Sequence, residues 1–226
     1  KLATKYMTPV IVLSEQFLLH SSEPWKLPDF DKIPPIEVTF RTETDGFYPY
    51  IRNEKTFARP WVKPGTPGLE HRIGGLEKSD KFGNVSYDPE NHDFMTKTRA
   101  QKIQKVLQDI PDLEVTGHPE AEMIVVAWGS TYGHIKAAVE LAISEGMKIA
   151  MVQLRHLNPL PRNLGDILRS YKKVLVPELN LGQLNLILRA KYLVDTKAYN
   201  RITGKPFDVS ELVEFFRDEY KGLKRH

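Results

Sequence analysis

Three adjacent side chains in a glycine-rich stretch have the chemical types needed to hold an anionic ligand. Glu70, His71 and Arg72 lie within residues 65–75, where four glycines allow a mobile or tightly turned backbone. An acid, a titratable imidazole and a guanidinium that binds bidentately would suit a carboxylate, a phosphate or a diphosphate. The alternative is a solvated loop with a salt bridge, and residue chemistry alone does not decide between the two.

A second group of polar residues, which includes Asp88 and His92, occupies residues 88–93 and invites a metal-site interpretation. Adjacent residues of one loop rarely converge on a single ion, and His71, His92 and His118 do not have zinc-type spacing. We therefore predict no metal site. Since the chain also lacks a nucleophile elbow and a cysteine, no residue is predicted to be catalytic.

A glycine-rich turn separates an apolar run from a helical pattern. Its residues Gly129, Ser130, Thr131 and Gly133 would present free N–H groups and the positive end of a helix dipole, which suit an anion. The turn matches neither the dinucleotide-binding nor the P-loop motif. The structural alternative is that Gly129 permits a tight turn while Ser130 or Thr131 caps the helix.

Arg155 and His156 directly follow a predicted strand. Open α/β sheets bind ligands at the carboxyl ends of their strands, so this pair is well placed for ligand contact. An interface role suits the two residues equally well, and we predict them as interface residues.

The elements that must position these residues form a parallel α/β sheet. Residues 123–127 and 149–152 are short apolar runs typical of buried strands, and residues 135–143 between them carry a one-sided apolar stripe. Strand, helix and strand this close together predict a right-handed βαβ crossover. With a third strand at residues 173–176, the chain from about residue 112 is predicted to form three or four parallel strands.

The final helix is marked by a capping pattern. Asp208 and Glu211 stand three residues apart, as in a capping box, ahead of a helical apolar stripe. That stripe predicts a buried face made of Leu212, Val213, Phe216 and Tyr220.

The first half of the chain is less regular. Residues 10–13 and 36–40 have strand-like patterns, residues 14–25 suggest a helix, and residues 98–110 have helical spacing. Residues 45–93 show no sustained period, yet their many aromatic side chains argue against disorder. We expect an ordered excursion that lies on a partner or over an active site.

Composition excludes several classes of function. The net charge of +3 comes from scattered basic residues, so no nucleic-acid surface is predicted. No apolar stretch reaches the roughly 20 residues that span a membrane. The absence of cysteine excludes disulfides and thiolate-held iron–sulfur or zinc sites within this chain. We predict a cytoplasmic protein, and we expect the first residues to be the tail of a domain that lies upstream.

Six blocks of sequence resemble one enzyme family in order along nearly the whole chain. The blocks are RPW (residues 59–61), PGTPGLEHRIGGLEK (64–78), GNVSYDPENH (83–92), WGSTYG (128–133), LRHLNPLP (154–161) and VLVPELNLGQ (174–183). They resemble the alpha subunit of 2-oxoacid:ferredoxin oxidoreductases, and most strongly its C-terminal part in the 2-oxoglutarate enzymes.

The resemblance implies how the chain divides into domains and which reaction the whole enzyme catalyses. It implies that residues 1–40 are the tail of a pyrimidine-binding domain, residues 41–105 an ordered loop with a linker helix, and residues 106–226 a transketolase C-terminal-like domain. Such enzymes decarboxylate a 2-oxoacid with thiamine diphosphate and magnesium, pass electrons through Fe–S clusters to ferredoxin and release an acyl-CoA. The cofactor and cluster sites are expected on the beta subunit or other parts, so this chain is not expected to be catalytic alone.

The resemblance also favours a ligand-facing loop. We predict His71 and Arg72 as contacts to the 2-oxoacid or CoA, with Glu70, Asp88 and His92 as further loop residues. The expected partners are the beta subunit, the upstream alpha segment and ferredoxin, with no nucleic acid and no membrane.

Two other functions remain open at this point. One is a non-catalytic assembly or interaction module of such a complex. The other is a stand-alone nucleotide-binding α/β domain, for which the turn at residues 129–133 is the only support.

Overall fold

A five-stranded sheet is the central feature of the computed structural model, which describes residues 1–224. The strands are β1 (Val115–Gly117), β2 (Met123–Trp128), β3 (Ile149–Leu154), β4 (Lys173–Glu178) and β5 (Thr196–Asn200). The helices are α1 (Leu2–Tyr6), α2 (Gln16–His20), α3 (Pro89–Lys105), α4 (Tyr132–Ser144), α5 (Leu164–Arg169), α6 (Gln183–Tyr192) and α7 (Val209–Leu223). Short 3-10 turns are at Phe30–Lys32, Val106–Asp109 and Gly129–Thr131.

The chain divides into two units. One contains Lys1–Ile11 and Pro24–Ile110, and the other contains Val12–Glu23 and the chain from Pro111 onward, with the sheet. The three-part division predicted from the resemblance stays a prediction.

The sheet confirms the predicted α/β class and its βαβ crossover. Its order is β1-β3-β2-β4-β5, and β2 runs parallel to both β3 and β4. β5 extends the parallel part beside β4, whereas β1 pairs antiparallel with β3. The predicted count of three or four parallel strands therefore missed the antiparallel edge strand.

The edge strand β1 depends on a glycine. Gly117 has φ +125° and lies so close to β3 that a Cβ there would be 2.7 Å from the Cα of Ala150. Only a residue without a side chain fits this approach without moving the neighbouring backbone.

Alternation along the strands produces a core on each face of the sheet. Met123 and Val125 of β2 face α4 and α7, while Ile124 and Val126 face α5 and α6. Both sets are fully buried, as expected for a sheet covered on both faces by helices.

Helix α7 has the predicted apolar face, but its N-terminus differs from the prediction. Asp208 caps the helix by accepting hydrogen bonds from the N–H groups of Ser210 (2.8 Å) and Glu211 (3.2 Å). The Glu211 carboxylate pairs with Arg201 instead of returning to Asp208, so the capping box is not formed. The four predicted core residues are buried, which confirms the stripe.

In the first unit, α3 begins nine residues before the predicted helix. Asp88 accepts from the N–H groups of Glu90 and Asn91, and Pro89 occupies the first helical turn, where its missing donor costs nothing. The helix therefore starts inside the region that lacked a sustained apolar period, because its first two turns carry few buried residues.

The predicted strands at residues 10–13 and 36–40 are wrong. Residues 10–13 and 36–39 belong to no sheet, and Phe40 makes only an isolated bridge to Trp61. Ile11 and Val12 are 82% and 85% exposed, because an apolar run becomes a strand only where another strand offers its backbone. The helix predicted in residues 14–25 is limited to α2.

No helix among residues 1–224 is both long enough and apolar enough to cross a membrane.

Candidate functional site

The glycine-rich excursion is held by backbone contacts rather than by regular strands. The indole N–H of Trp61 donates to the carbonyl of Thr4 (3.0 Å), and the Trp61 carbonyl accepts from the N–H of Arg41 (2.8 Å). Leu69 is only 1% exposed and anchors the centre of the excursion. These contacts order the segment that carries the predicted ligand residues, as its aromatic content indicated.

His71 is the best positioned of those residues. Its Nδ1 lies 2.7 Å from the carbonyl of Leu69, and because a carbonyl only accepts, Nδ1 must carry the proton. The ring is half-buried and packs at 5.5 Å between centroids against Phe47. With the proton on Nδ1, Nε2 of the neutral imidazole is a hydrogen-bond acceptor. In the protonated imidazolium, Nε2 also carries a proton and can donate a hydrogen bond to an anion.

Glu70 and Arg72, on either side of His71, are exposed. Within residues 1–224 neither side chain lies within 4.0 Å of an opposite charge, so the salt bridge of the solvated-loop alternative is not formed by these two residues. Their charges remain available to a ligand or to another chain.

Asp88 and His92 do not join that trio, since they belong to the start of α3. Asp88 is its N-cap residue and lies just outside the helix, whereas His92 lies within it, so the prediction of a loop residue is wrong only for His92. His92 contacts Glu77 instead, with 2.8 Å between Nδ1 and a carboxylate oxygen.

Glu77 is the centre of a small charged cluster that sequence reasoning missed. Arg99 binds its carboxylate bidentately at 3.0 and 3.2 Å, and His92 contacts the second oxygen. The hydrogen bonds from Arg99 and then from His92 lower the pKa of Glu77 to about 2. The spacing of 15 and 22 residues between the partners has no local pattern, so only the fold reveals the cluster.

In the second unit, the predicted anion turn lies at a topological switch point. Strands β2 and β4 are neighbours, yet α4 after β2 packs on one face and α6 after β4 on the other. Open α/β sheets form a crevice at such a point, outside the carboxyl ends of the strands. The turn Gly129–Thr131 follows β2 at this edge.

The turn matches the structural alternative only in part, and its anion-binding role stays a prediction. Gly129 has φ +60°, which supports the predicted tight turn, but neither Ser130 nor Thr131 caps α4 with its side chain. The Thr131 hydroxyl donates back to the Trp128 carbonyl at 2.8 Å and is buried. Gly133 lies in the first turn of α4, and its backbone N–H is at the helix N-terminus.

Arg155 and His156 come directly after β3, at the same edge of the sheet, where Arg155 is exposed and His156 half-buried. Their position at a strand's carboxyl end is as predicted, and their role stays a prediction.

Glu178, at the end of β4, is a polar residue of this edge that lies beyond the strand predicted at residues 173–176. Its side chain is fully buried and accepts from the N–H groups of Leu184 (2.9 Å) and Asn185 (2.8 Å). The carboxylate thus fixes the N-terminus of α6 in place of a local cap. Because its partners are six and seven residues away, no capping motif signals this contact.

No group of three or more His, Cys, Asp or Glu residues that could hold a metal ion occurs in the part of the chain that the structure describes.

Two family models together match most of the chain. The first, pyruvate flavodoxin/ferredoxin oxidoreductase, thiamine diphosphate-binding, matches residues 1–90. The second, pyruvate:ferredoxin oxidoreductase core domain II, matches residues 121–212. A curated relative, 2-oxoglutarate oxidoreductase subunit KorA of Mycobacterium tuberculosis, is 47% identical over 225 residues, or 98% of this chain. The chain belongs to the 2-oxoacid:ferredoxin oxidoreductase family.

Other members of the family show the same correspondence. Subunit alpha of 2-oxoacid:ferredoxin oxidoreductase 1 from Aeropyrum pernix is 29% identical over 223 residues. A solved 2-oxoglutarate:ferredoxin oxidoreductase from Magnetococcus marinus, with 2-oxoglutarate, coenzyme A and succinyl-CoA bound, is 32% identical and superimposes with a TM-score of 0.89 over 97% of this chain. The resemblance found in the six sequence blocks is thereby confirmed.

The chain spans about a third of the length of these relatives. It covers 34% of the length of each of the two curated subunits and 38% of the solved chain.

Proposed function

We propose that this chain is the alpha-subunit portion of a 2-oxoglutarate:ferredoxin oxidoreductase. In that role it serves the oxidative decarboxylation of a 2-oxoacid to an acyl-CoA, with electrons passed to ferredoxin. The observation that carries the proposal is the 47% identity to a 2-oxoglutarate oxidoreductase subunit over 98% of this chain.

One contribution of the chain to the enzyme is a subunit interface. The segment between α1 and the excursion exposes a dense set of apolar side chains: Val10, Ile11, Val12, Leu13, Phe17, Leu18, Leu19, Trp25, Leu27, Phe30, Ile33 and Ile36. Apolar exposure on this scale along one stretch of sequence is typical of a segment that another polypeptide covers. We assign that cover to the rest of the alpha subunit or to the beta subunit, with Arg155 and His156 as further interface residues.

The other contribution is an active-site cover formed by the excursion. His71 has a fixed tautomer that leaves Nε2 for a ligand, and the exposed Glu70 and Arg72 beside it carry uncompensated charges. These features support contacts to the 2-oxoacid or to CoA. His92 and the cap residue Asp88 would support the same region from α3, and the turn Gly129–Gly133 would be a second anion contact.

Thiamine diphosphate would supply the carbanion chemistry in the assembled enzyme. The described residues do not fit its magnesium ion, since they offer no cluster of metal-binding side chains. We therefore place the diphosphate, its magnesium and the Fe–S cluster on other parts of a cytoplasmic complex. The side chains of this chain would then bind ligands or partners, and none would take part in the bond-breaking steps.

Reconstitution tests the proposal. The beta subunit and the upstream alpha segment would be assembled with and without this chain. Each assembly would be assayed for 2-oxoglutarate- and CoA-dependent reduction of ferredoxin or a viologen dye. We expect the activity to require the chain. If the remaining parts assemble and turn over equally well without it, the catalytic-subunit role is wrong, and a non-catalytic assembly module becomes the better description.

A further inference from the structure

A cavity of about 550 Å³ lies within the first unit, and its lining contains more basic than acidic side chains. Four basic side chains, Arg52, Arg59, Arg99 and Lys102, contribute to its wall. Glu77 is the only carboxylate in the lining, and Arg99 and His92 already engage it.

Two of these cations have no carboxylate partner. Within residues 1–224, Arg59 and Lys102 form no ion pair, although both are half-buried. Arg59 donates to the carbonyl of Pro49 at 3.4 Å, and Lys102 donates to the carbonyl of Met7 at 3.2 Å. Neutral acceptors satisfy single N–H groups but do not compensate the charge.

Arg52 adds a third positive charge to the same wall. Its side chain is only 12% exposed and pairs with Asp80 at 2.6 Å. The guanidinium carbons of Arg52 and Arg59 lie 5.9 and 4.8 Å from the ring centroid of Tyr50, so the two cations pack against the same aromatic ring.

The cations are close enough to repel one another. Burial, and then the charges of Arg52 and Arg59, lower the pKa of Lys102. Burial, and then Arg52, likewise lower the pKa of Arg59, against the opposing effect of Tyr50. Gathering like charges at a half-buried wall is unfavourable unless an anion joins them.

We infer that this cavity binds a phosphate monoester dianion of the kind that a nucleotide ligand carries. Arg59 and Lys102 supply the two uncompensated charges, and the planar guanidinium of Arg59 matches two phosphate oxygens. Tyr50, Ile73, Leu76 and Met95 line the same cavity and provide apolar surface for the rest of such a ligand. The site follows from the cavity itself, whereas its assignment to the phosphate end of coenzyme A rests on the proposed function.

Calorimetric titration of the assembled protein tests the inference. The probes are inorganic phosphate, adenosine 3′,5′-bisphosphate, which is the nucleotide portion of coenzyme A, and 2-oxoglutarate. We expect saturable binding of the bisphosphate and weaker binding of inorganic phosphate. If only inorganic phosphate binds, the source is the free ion and the nucleotide part of the inference is wrong; if 2-oxoglutarate binds there more tightly, the phosphate assignment is overturned.

Matched variants locate the binding. Lys102→Met and Arg59→Ala should each weaken bisphosphate binding at least about tenfold, the loss expected for one charge-assisted contact. Lys97→Met, on the same helix, removes the same charge from a side chain that is 68% exposed and outside the cavity, so it should bind like the parent. Equal affinity of the Lys102 and Lys97 variants would overturn the inference.

A measurement on the unsubstituted protein covers the case in which those variants fail to fold. Saturating bisphosphate should slow acylation of Lys102 by an amine-reactive ester at least about fivefold and leave Lys97 unchanged, since a bound dianion both covers the amine and favours its protonated form. Equal rates of Lys102 acylation with and without the bisphosphate would contradict the proposed site. Oxidoreductase activity of the same preparations separates the two proposals. Binding without activity would contradict only the proposed function. Activity without binding would contradict only the proposed phosphate site.

Discussion

The hydroxyl of Tyr6 donates a 2.6 Å hydrogen bond to the carboxylate of Asp109, across 103 residues of sequence. Tyr6 is fully buried among Val106 and Ile110, and Lys5 binds the same carboxylate from the same helix. Burial and the bond to Asp109 raise the pKa of Tyr6, so the phenol stays protonated and remains the donor. The pair ties α1 to the turn that ends α3.

Replacing Tyr6 with Phe should therefore destabilise the first unit. We expect the free energy of unfolding to fall by roughly 1–2 kcal/mol, the value of a hydrogen bond to a charged acceptor that keeps a second partner. Denaturant unfolding measures the change. Tyr87→Phe, at a ring that is 83% exposed, is the control and should have no effect; an equal loss in both variants would contradict the interpretation.

The charged cluster at Glu77 predicts a dependence of stability on pH. Folding lowers the pKa of Glu77 from 4.5 to about 2, so its stabilisation is complete above about 4.5 and is lost as the pH falls towards 2. Glu77→Gln should lower the free energy of unfolding by roughly 1–2 kcal/mol at neutral pH. The parent and the variant should converge in acid, and a difference that stays constant from pH 7 to pH 2 would show that the carboxylate charge is not responsible.

The buried carboxylate of Glu178 predicts a larger local effect in the second unit. Glu178→Ala leaves the N–H groups of Leu184 and Asn185 without their acceptor, and we expect a loss of roughly 2–4 kcal/mol. Hydrogen exchange at the start of α6 should accelerate first. Glu140→Ala is a suitable control, since that carboxylate is 65% exposed and lies 3.8 Å from Lys136; similar losses in the two variants would argue against the anchoring role.

Arg72→Ala tests the proposed active-site cover. In the assembled enzyme we expect a higher KM for 2-oxoglutarate or CoA, by roughly tenfold for one lost charged contact, with kcat little changed. Steady-state kinetics with each substrate varied separately measures the effect. Lys55→Ala removes a positive charge from another exposed residue of the same excursion and serves as the control. Unchanged kinetics for Arg72→Ala would exclude the contact.

Sequence patterns predicted the parts of the fold whose signals are local. The apolar runs of β2 and β3 and the helical stripe between them are buried, and these three elements are adjacent in the chain. Strand β1 has no such signal, because its three residues are all exposed and its place depends on β3 as a neighbour. The apolar run at residues 10–13 has the strand signal but no neighbour, so the same reasoning failed there.

The candidate site divides in the same way. His71 could be named from its residue type and its glycine-rich surroundings, but its tautomer depends on a carbonyl that only the folded loop positions. The cationic cavity joins Arg52 and Arg59 to Lys102, which lies 50 and 43 residues further along the chain, through the tertiary contacts of α3. Charges gathered from such distant segments have no spacing that a sequence motif can express.

The exposed apolar segment also carries Pro24, Pro28, Pro34 and Pro35. Each proline lacks the N–H group that a growing β-stack requires, so residues 24–36 are a poor template for fibril formation while their side chains are uncovered. In a newly made chain, this proline-containing part can thus stay exposed for assembly with less tendency to form fibrils than an apolar run without proline.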